Sequence, residues 1–251
     1  MKISVITVSY NAEKTIGKCI ESVLSQTYTN SEYIIIDGNS KDTTMNIVES
    51  FRDRIDIVVS ETDSGIYDAI NKGIALATGD VVAILNSDDE YVDKYVLETV
   101  MQEFLNNSDI SIVYGDIVIV DNVGRIMRTW RSGRYTSGLF RTGWHPPHPS
   151  FFVKKSVYDK YGVFNTTFEI AADYEFMLRV LEKNQTKSIH IPQILVRMLG
   201  GGASNGSIRA IILGNRESMK AWSINGMNPP LLLIVRKLLI KIRQYFVKTP
   251  C

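Results

Sequence analysis

The residues with the clearest capacity for chemistry are Asn86, Ser87, Asp88 and Asp89, which end an apolar run from Val81 to Leu85. That run has the composition of a buried strand, so two adjacent carboxylates stand at its end. Adjacent carboxylates repel unless positive charge lies beside them. A divalent cation held against a diphosphate satisfies them economically, because hard cations take oxygen ligands and bridge phosphate oxygens. A helix N-cap is the other setting in which Ser and Asp gather, with acids favoured in the first turn. The cluster alone leaves both readings open.

The elements that must position these groups alternate in type. Lys2 to Ser9, Glu32 to Asp37, Asp56 to Ser60 and Asp80 to Leu85 read as buried strands. Between them, Ala12 to Gln26, Asp42 to Phe51 and Gly65 to Ala77 read as helices; Ile16, Ile20, Val23 and Leu24 have helical spacing in the first. Continuous Val/Ile runs separated by helices predict a parallel sheet covered on both faces. In such sheets ligands bind beyond the carboxyl ends of the strands. Polar residues collect there: Ser9, Tyr10 and Asn11; Asp37 and Ser40; Glu61 and Asp63; Asp88 and Asp89. Four strand ends therefore deliver polar groups to one rim.

From about Ile112 the pattern changes. Ile112 to Val120 and Arg125 to Arg131 flank Asp121-Asn-Val-Gly124, a hairpin signal. A helix is expected from near Ser156, another over Ala172 to Glu182, and a late strand over Ser188 to Arg197. The stretch from Gly200 to Gly206 is glycine-rich, which predicts a loop over 200–215 able to order across a ligand.

Composition narrows the class. At 251 residues the chain is long enough for one large domain or two small ones, and 45% hydrophobic with 22% charged residues is that of a core-forming protein. A formal net charge of +1 argues against nucleic acid as the main partner. Cys19 and Cys251 do not make a disulfide framework, which suits a reducing cytoplasm. The apolar run at Met1 to Val8 is too short for a signal peptide and reads as a first strand. No run of about 18 uncharged apolar residues is present, so no spanning helix is expected.

Taken in order, the motifs resemble those of the family 2 glycosyltransferases. They are Ser4-Val-Ile-Thr-Val-Ser-Tyr-Asn11, Ser25-Gln-Thr-Tyr28, Ile34-Ile-Ile-Asp-Gly-Asn-Ser-Lys-Asp-Thr43, Asp63-Ser-Gly-Ile-Tyr-Asp-Ala-Ile-Asn-Lys-Gly73, the Asn-Ser-Asp-Asp cluster and Ala172-Asp-Tyr-Glu175. Each is weak alone; the ordered set, over roughly residues 2 to 200, is specific. The subgroup it looks most like assembles bacterial O-antigen, capsule or colanic-acid-type polysaccharides.

The resemblance implies an α/β GT-A fold, Rossmann-like and nucleotide-sugar-binding, with a mostly parallel central sheet. It implies a metal-dependent, inverting transfer from a nucleotide-sugar donor, here a UDP-sugar, to a hydroxyl of a lipid-linked saccharide. Residues 1–111 would form the nucleotide-sugar-binding half of the domain, and 112–200 the acceptor-binding, catalytic half. Asp173 falls at the position of the catalytic base, which removes the acceptor proton. A helix start there would also favour an acid. Asp89 falls at the metal-ligand position for Mg²⁺ or Mn²⁺, and Asp88 at a ribose or metal-shell contact. His148, in Pro146-Pro-His-Pro, falls where it would touch metal or diphosphate. Donor contacts are implied for Tyr10, Asn11, Asp37, Asp63, Asn71 and Lys72. Gly38 after Asp37 would let the backbone approach the base closely.

The tail, residues 201–251, combines that loop with a basic amphipathic segment. Pro229-Pro230 is followed by Leu231 to Lys248, rich in Leu, Ile and Val, with Arg236, Lys237, Lys241, Arg243 and Lys248 and no acid. Such a segment suits a membrane interface with anionic lipid, which places the protein in the cytoplasm, peripheral at the inner face of the cell membrane. A helix packed on the catalytic domain is the other outcome. Two further functions compete. A nucleotidyltransferase would carry a glycine-rich basic loop after the first strand, whereas Ser9-Tyr-Asn-Ala-Glu-Lys14 holds no glycine. A non-catalytic nucleotide-sugar-binding or scaffold subunit would have no need of Asp173.

Overall fold

A computed structural model describes residues 1–201 and 208–246. Among the described residues nine strands form one sheet, ordered β3-β2-β1-β4-β8-β6-β9-β5, with β7 paired to β6. The first four are β1 (Ile3–Ser9), β2 (Ser31–Asp37), β3 (Ile57–Ser60) and β4 (Val81–Ile84). They are mutually parallel in the order β3-β2-β1-β4. Helices α1 (Ile16–Leu24), α2 (Thr44–Glu49) and α3 (Ile66–Leu76) connect them.

Alternation within these strands explains the layering. Ile6, Val8, Ile34, Ile36, Val82 and Ile84 face a core that includes Tyr67, Ile70 and Ile74 of α3. Ile3, Val5, Ile35, Val81 and Ala83 face a second core with Ile16, Ile20 and Val23 of α1 and with Val100 and Phe104 of α4 (Val96–Asn106). Both faces of β1, β2 and β4 are therefore dry, which is why these strands read as unbroken apolar runs, while β3 at the edge is half-buried.

Beyond β4 the sheet is mixed rather than parallel throughout. β8 (Phe151–Lys154) lies antiparallel between β4 and β6 (Ile112–Val120). β7 (Ile126–Trp130) completes the expected hairpin with β6. β9 (Ser188–Leu199) runs parallel to β6. β5 (Asp89–Tyr91) is three residues long and pairs antiparallel with β9, Asp89 opposite Met198.

The second half carries α5 (Lys155–Tyr161), α6 (Ala172–Met177), α7 (Ile208–Ile224) and α8 (Leu233–Arg243). The expected helix from Ala172 is α6, which continues as a π-helical turn over Leu178–Lys183. The loop expected over 200–215 is corrected from 208 onward, where α7 begins. Glycine content hid its pattern of buried Glu217, Ser218, Ala221 and Trp222, spaced as one helix face. Residues 202–207, the centre of that expected loop, lie outside the described residues, as do Val247, Lys248 and Cys251 of the tail.

Helix α8 packs on the protein. Leu233 and Gln244 are buried, and Ile240 packs against the first core. Gly143 permits the approach: it has φ +90°, and a Cβ there would stand 2.6 Å from the Lys237 backbone nitrogen. Apolar residues including Leu238, Leu239 and Phe246 face outward.

Candidate active site

At the strand ends, loops after β1, β2 and β3 are tied into one rim. Asp37 is fully buried and accepts hydrogen bonds from Ser9 Oγ at 3.0 Å, Ser60 Oγ at 2.7 Å, Ser40 N at 2.9 Å and Ser40 Oγ. Its carboxylate thus organises three strand ends. Asn11, at φ 49°, accepts from Lys41 N at 2.8 Å and donates its own N–H to Ser40 Oγ at 2.8 Å. Tyr10 is 64% exposed. It flanks Gly38 with Asp63: a Cβ at Gly38 would meet Asp63 Oδ2 at 2.6 Å and Tyr10 Cδ2 at 3.4 Å. An exposed ring, a bare backbone and a carboxylate meet there, a combination suited to the face and edge of a flat heterocycle.

Two other rim residues are engaged with the protein. Lys72 Nζ lies 2.9 Å from Glu61 and 3.6 Å from Asp68, and donates to the Thr62 carbonyl at 3.2 Å, so it stands beside this rim. Asn71 faces away from it. Its amide donates to the Phe164 carbonyl at 2.9 Å and accepts from Phe164 N at 3.0 Å, stitching α3 to the segment after α5.

The acidic cluster divides. Asp89 is 1% exposed, tucked under the β5–β9 pairing. Burial, then the Asp88 charge, push its carboxyl well above the usual range, against a hydrogen bond from Asn86. Asp88 is half-buried, its carboxyl raised by burial, and lines a recess of about 510 Å³ with Lys14, Lys18 and Arg197. Asn86 Oδ1 and Asp89 Oδ1 are buried with no hydrogen-bond partner. Buried oxygens of this kind are costly unless a donor or cation reaches them, so the oxygen-rich set Asn86, Asp88 and Asp89 fits a hard divalent ion. Among the described residues no cluster of three or more His, Cys, Asp or Glu forms a cage made by protein alone.

Asp173 stands at the start of α6 in a cavity of about 450 Å³. Asn86, His148, Asp173 and Lys237 line it together. The Asp173 Oδ1 accepts from Tyr174 N at 2.7 Å and from Tyr67 Oη at 3.4 Å. His148 lies edge-on to Phe164, and burial lowers its imidazole pKa while Asp173 raises it. His145 is wedged against Trp130 and Tyr174, and burial brings it down to about 3, so it is neutral. Glu175 is structural: its carboxylate pairs with Arg179 at 3.1 Å and accepts from Asn225 at 2.8 Å.

Sequence reasoning missed four contributors, one that braces the turn before Asp173 and three that line the cavity. Glu217 of α7 accepts from the backbone N–H groups of Glu169, Ile170 and Ala171, the turn leading to Asp173. Lys237 and Lys241 of α8 point into the cavity, as does Arg128 of β7. Lys237, Lys241 and Gln244 of the basic segment lie on a side of α8 that meets the protein, while Arg236 and Arg243 stay exposed. The i, i+4, i+7 spacing was legible, but which face would be partnered was not.

Residues 4–163 match the family described as "Glycosyl transferase family 2". That span is more than half of the chain, and the chain belongs to this family. The UDP-Glc:alpha-D-GlcNAc-diphosphoundecaprenol beta-1,3-glucosyltransferase WfgD of Escherichia coli is 40% identical over 121 residues, 48% of this chain and 47% of that protein. S. aureus TarS 1-349, solved with UDP-GlcNAc, superposes with a TM-score of 0.68 at 17% identity, covering 96% of this chain and 70% of that one. The mannosyltransferase PcManGT of Pyrobaculum calidifontis, solved with GDP-Man and Mn²⁺, gives 0.67 at 16% identity, covering 96% and 70%. These neighbours establish the GT-A fold. The protein is a glycosyltransferase.

Proposed function

We propose that this enzyme moves a sugar from a UDP-sugar to a hydroxyl of a lipid-linked saccharide, with inversion and with a divalent metal. The observation that carries this reading is the shared cavity of Asp173, His148 and Asn86, which joins a candidate base to the end of β4. The similarity to WfgD, whose name specifies a UDP-sugar and a diphosphoundecaprenol-linked acceptor, supports the donor and acceptor classes.

Tyr10, Gly38 and Asp63 would receive the base, with Asp37 holding their loops rather than touching it. Asn86, Asp88 and Asp89 would hold Mg²⁺ or Mn²⁺, which stabilises the departing diphosphate when bound. Asp173 would take the proton from the acceptor hydroxyl as that oxygen attacks the anomeric carbon. Among the described residues the Tyr174 N–H and Tyr67 hydroxyl both bond its Oδ1, so Oδ2 would be the oxygen offered to the acceptor. One in-line displacement with one base inverts the centre. The apolar outer face of α8 would keep the enzyme at a membrane surface, beside its acceptor.

A thermal-shift panel of UDP-, GDP-, dTDP- and CMP-sugars, each with Mn²⁺ or chelator, tests the donor and metal together. A UDP-sugar shift that chelator abolishes is expected. A shift indifferent to chelator would remove the metal from the reading, and a shift with another nucleotide alone would replace the donor.

A further inference from the structure

The cavity holding Asp173 carries more positive charge than a base and a sugar need. Arg128, Lys237 and Lys241 all line it, and Asp173 is the one carboxylate among its lining residues. Arg128 is 8% exposed; its guanidinium donates to Gln244 Oε1 at 2.6 Å and lies over the Trp130 and Tyr245 rings. Lys237 Nζ sits 4.2 Å from the Tyr174 ring centre and 2.7 Å from Ser218 Oγ. The three cations disfavour one another in this dry setting: Lys241 is lowered by burial and by Arg128, and Lys237 by burial and by Lys241, although Asp173 opposes this. Like charges gathered at low dielectric are costly, and a multivalent anion relieves them.

The mouth of the same cavity is apolar. Ile211, Ile234 and Leu238 line it while remaining 46%, 41% and 57% exposed. They continue into outward residues of α7 and α8, Ile212 at 52% and Leu239 at 56%. A ligand in this cavity would meet exposed carbon, the three cations and the candidate base.

We propose that Arg128, Lys237 and Lys241 form the subsite for the diphosphate of the acceptor, with its lipid chain leaving between α7 and α8 and its sugar directed at Asp173. This rests on the reading that the acceptor is lipid-linked. The donor also carries a diphosphate, but the oxygens suited to hold it through a cation belong to Asn86, which lines this cavity, and to Asp88 and Asp89, which lie outside its lining. Each diphosphate thus has its own set of groups: the acids at the end of β4 with a cation for the donor, and the basic cavity lining for the acceptor. The basic face of α8 is thereby a binding element rather than a membrane contact.

The test is direct binding of undecyl diphosphate, inorganic pyrophosphate and UDP to the full chain and to its Lys241→Gln and Arg128→Gln variants, by titration calorimetry. Undecyl diphosphate should bind the unmodified protein more tightly than pyrophosphate, and its affinity should fall about tenfold or more in either variant, because contacts to a charged group are among the stronger hydrogen bonds. UDP affinity, measured with Mn²⁺, should stay within about twofold. Lys241 is half-buried on α8, so its variant is expected to fold; a melting curve checks this. Should Arg128→Gln fail to fold, Lys241→Gln and the comparison of the two phosphates in the unmodified protein decide alone. Unchanged undecyl diphosphate affinity in the variants, or a parallel loss of UDP affinity, overturns the subsite. Failure of the unmodified protein to bind UDP would instead overturn the donor reading, and the undecyl diphosphate result would still decide the subsite.

Discussion

The Glu217 carboxylate accepts the backbone N–H of Ala171 at 2.8 Å, so a residue of α7 holds the turn that delivers Asp173. The same carboxylate takes Glu169 N at 2.7 Å and Ile170 N at 2.9 Å. Three amide donors on one buried acid fix the entry to α6, and with it the position of the candidate base. Glu217→Gln replaces one acceptor oxygen by a donor that would face those N–H groups. We expect kcat to fall by about tenfold or more with little change in donor KM, since misplacing a base costs the chemical step rather than donor binding. Stability should fall by about 1–3 kcal/mol. An unchanged kcat would show that the turn holds itself.

Asp173→Asn keeps the shape of the side chain and removes its basicity. Transfer should drop by about 10²–10⁴-fold, while UDP affinity stays unchanged and the melting temperature moves little. Turnover close to that of the unmodified enzyme would mean that another group removes the proton.

Parts of this site were legible because they depend on neighbours in sequence. The apolar runs ending at Ser9, Asp37, Ser60 and Leu85 announce strands, and the polar residues after them fall on one rim because the strands are parallel. Other parts depend on distant contacts. The strand at Asp89 exists because Met198, more than a hundred residues later, pairs with it. That pairing also buries the Asp89 carboxylate and leaves Asp88 the more accessible. Asn71 reads as a polar helix residue near the rim, and only the position of Phe164 shows where its amide points. For α8, sequence resolves apolar and basic residues, but only contacts at Gly143 and the cavity wall decide that Lys237, Lys241 and Gln244 turn inward.

The outward face of α8 carries the membrane reading. Leu239 is 56% and Phe246 81% exposed, with Arg236 and Arg243 also exposed nearby. No helix among the described residues is long and apolar enough to cross a membrane. Leu239→Glu together with Phe246→Glu should sharply reduce co-sedimentation with anionic vesicles, since burial of each large apolar side chain contributes about 1.5–3 kcal/mol. Melting temperature should be unaffected. Undiminished sedimentation would leave the apolar face without a role at lipid.

Glu32 ties β2 to the segment between α3 and β4, and makes stability sensitive to acid. Burial would raise its carboxyl, but hydrogen bonds from Lys2, Ser4 and Thr78 outweigh this and hold it at about 2, below the ordinary 4.5. A carboxyl lowered on folding stabilises the fold fully above its unfolded pKa, and that contribution is lost as pH falls through the folded value. Denaturant midpoints should therefore decline from about pH 4.5 towards about pH 2, by an amount equivalent to about 3 kcal/mol. Glu32→Gln should be less stable at neutral pH and flatter over this window. Parallel curves for the two proteins would remove Glu32 as the source.

Lys237 gives acceptor binding its own pH limit. Burial lowers its ammonium, Asp173 raises it and Lys241 lowers it again, leaving it at about 8. Among the other groups facing it, His145 is neutral and Arg128 is cationic because burial lowers it only from a very basic starting point, while Lys241 is itself lowered by burial and by Arg128. Lys237 is therefore charged below about pH 8 and loses its proton above it. Undecyl diphosphate affinity should weaken as pH rises from about 7 to about 9, because the anion loses one of three cations. Lys237→Arg keeps a guanidinium charged throughout, so its affinity should fall less over the same range. The variant also serves as the control for titration of the ligand. Equal slopes in the two proteins would place the proton elsewhere and take Lys237 out of the acceptor subsite.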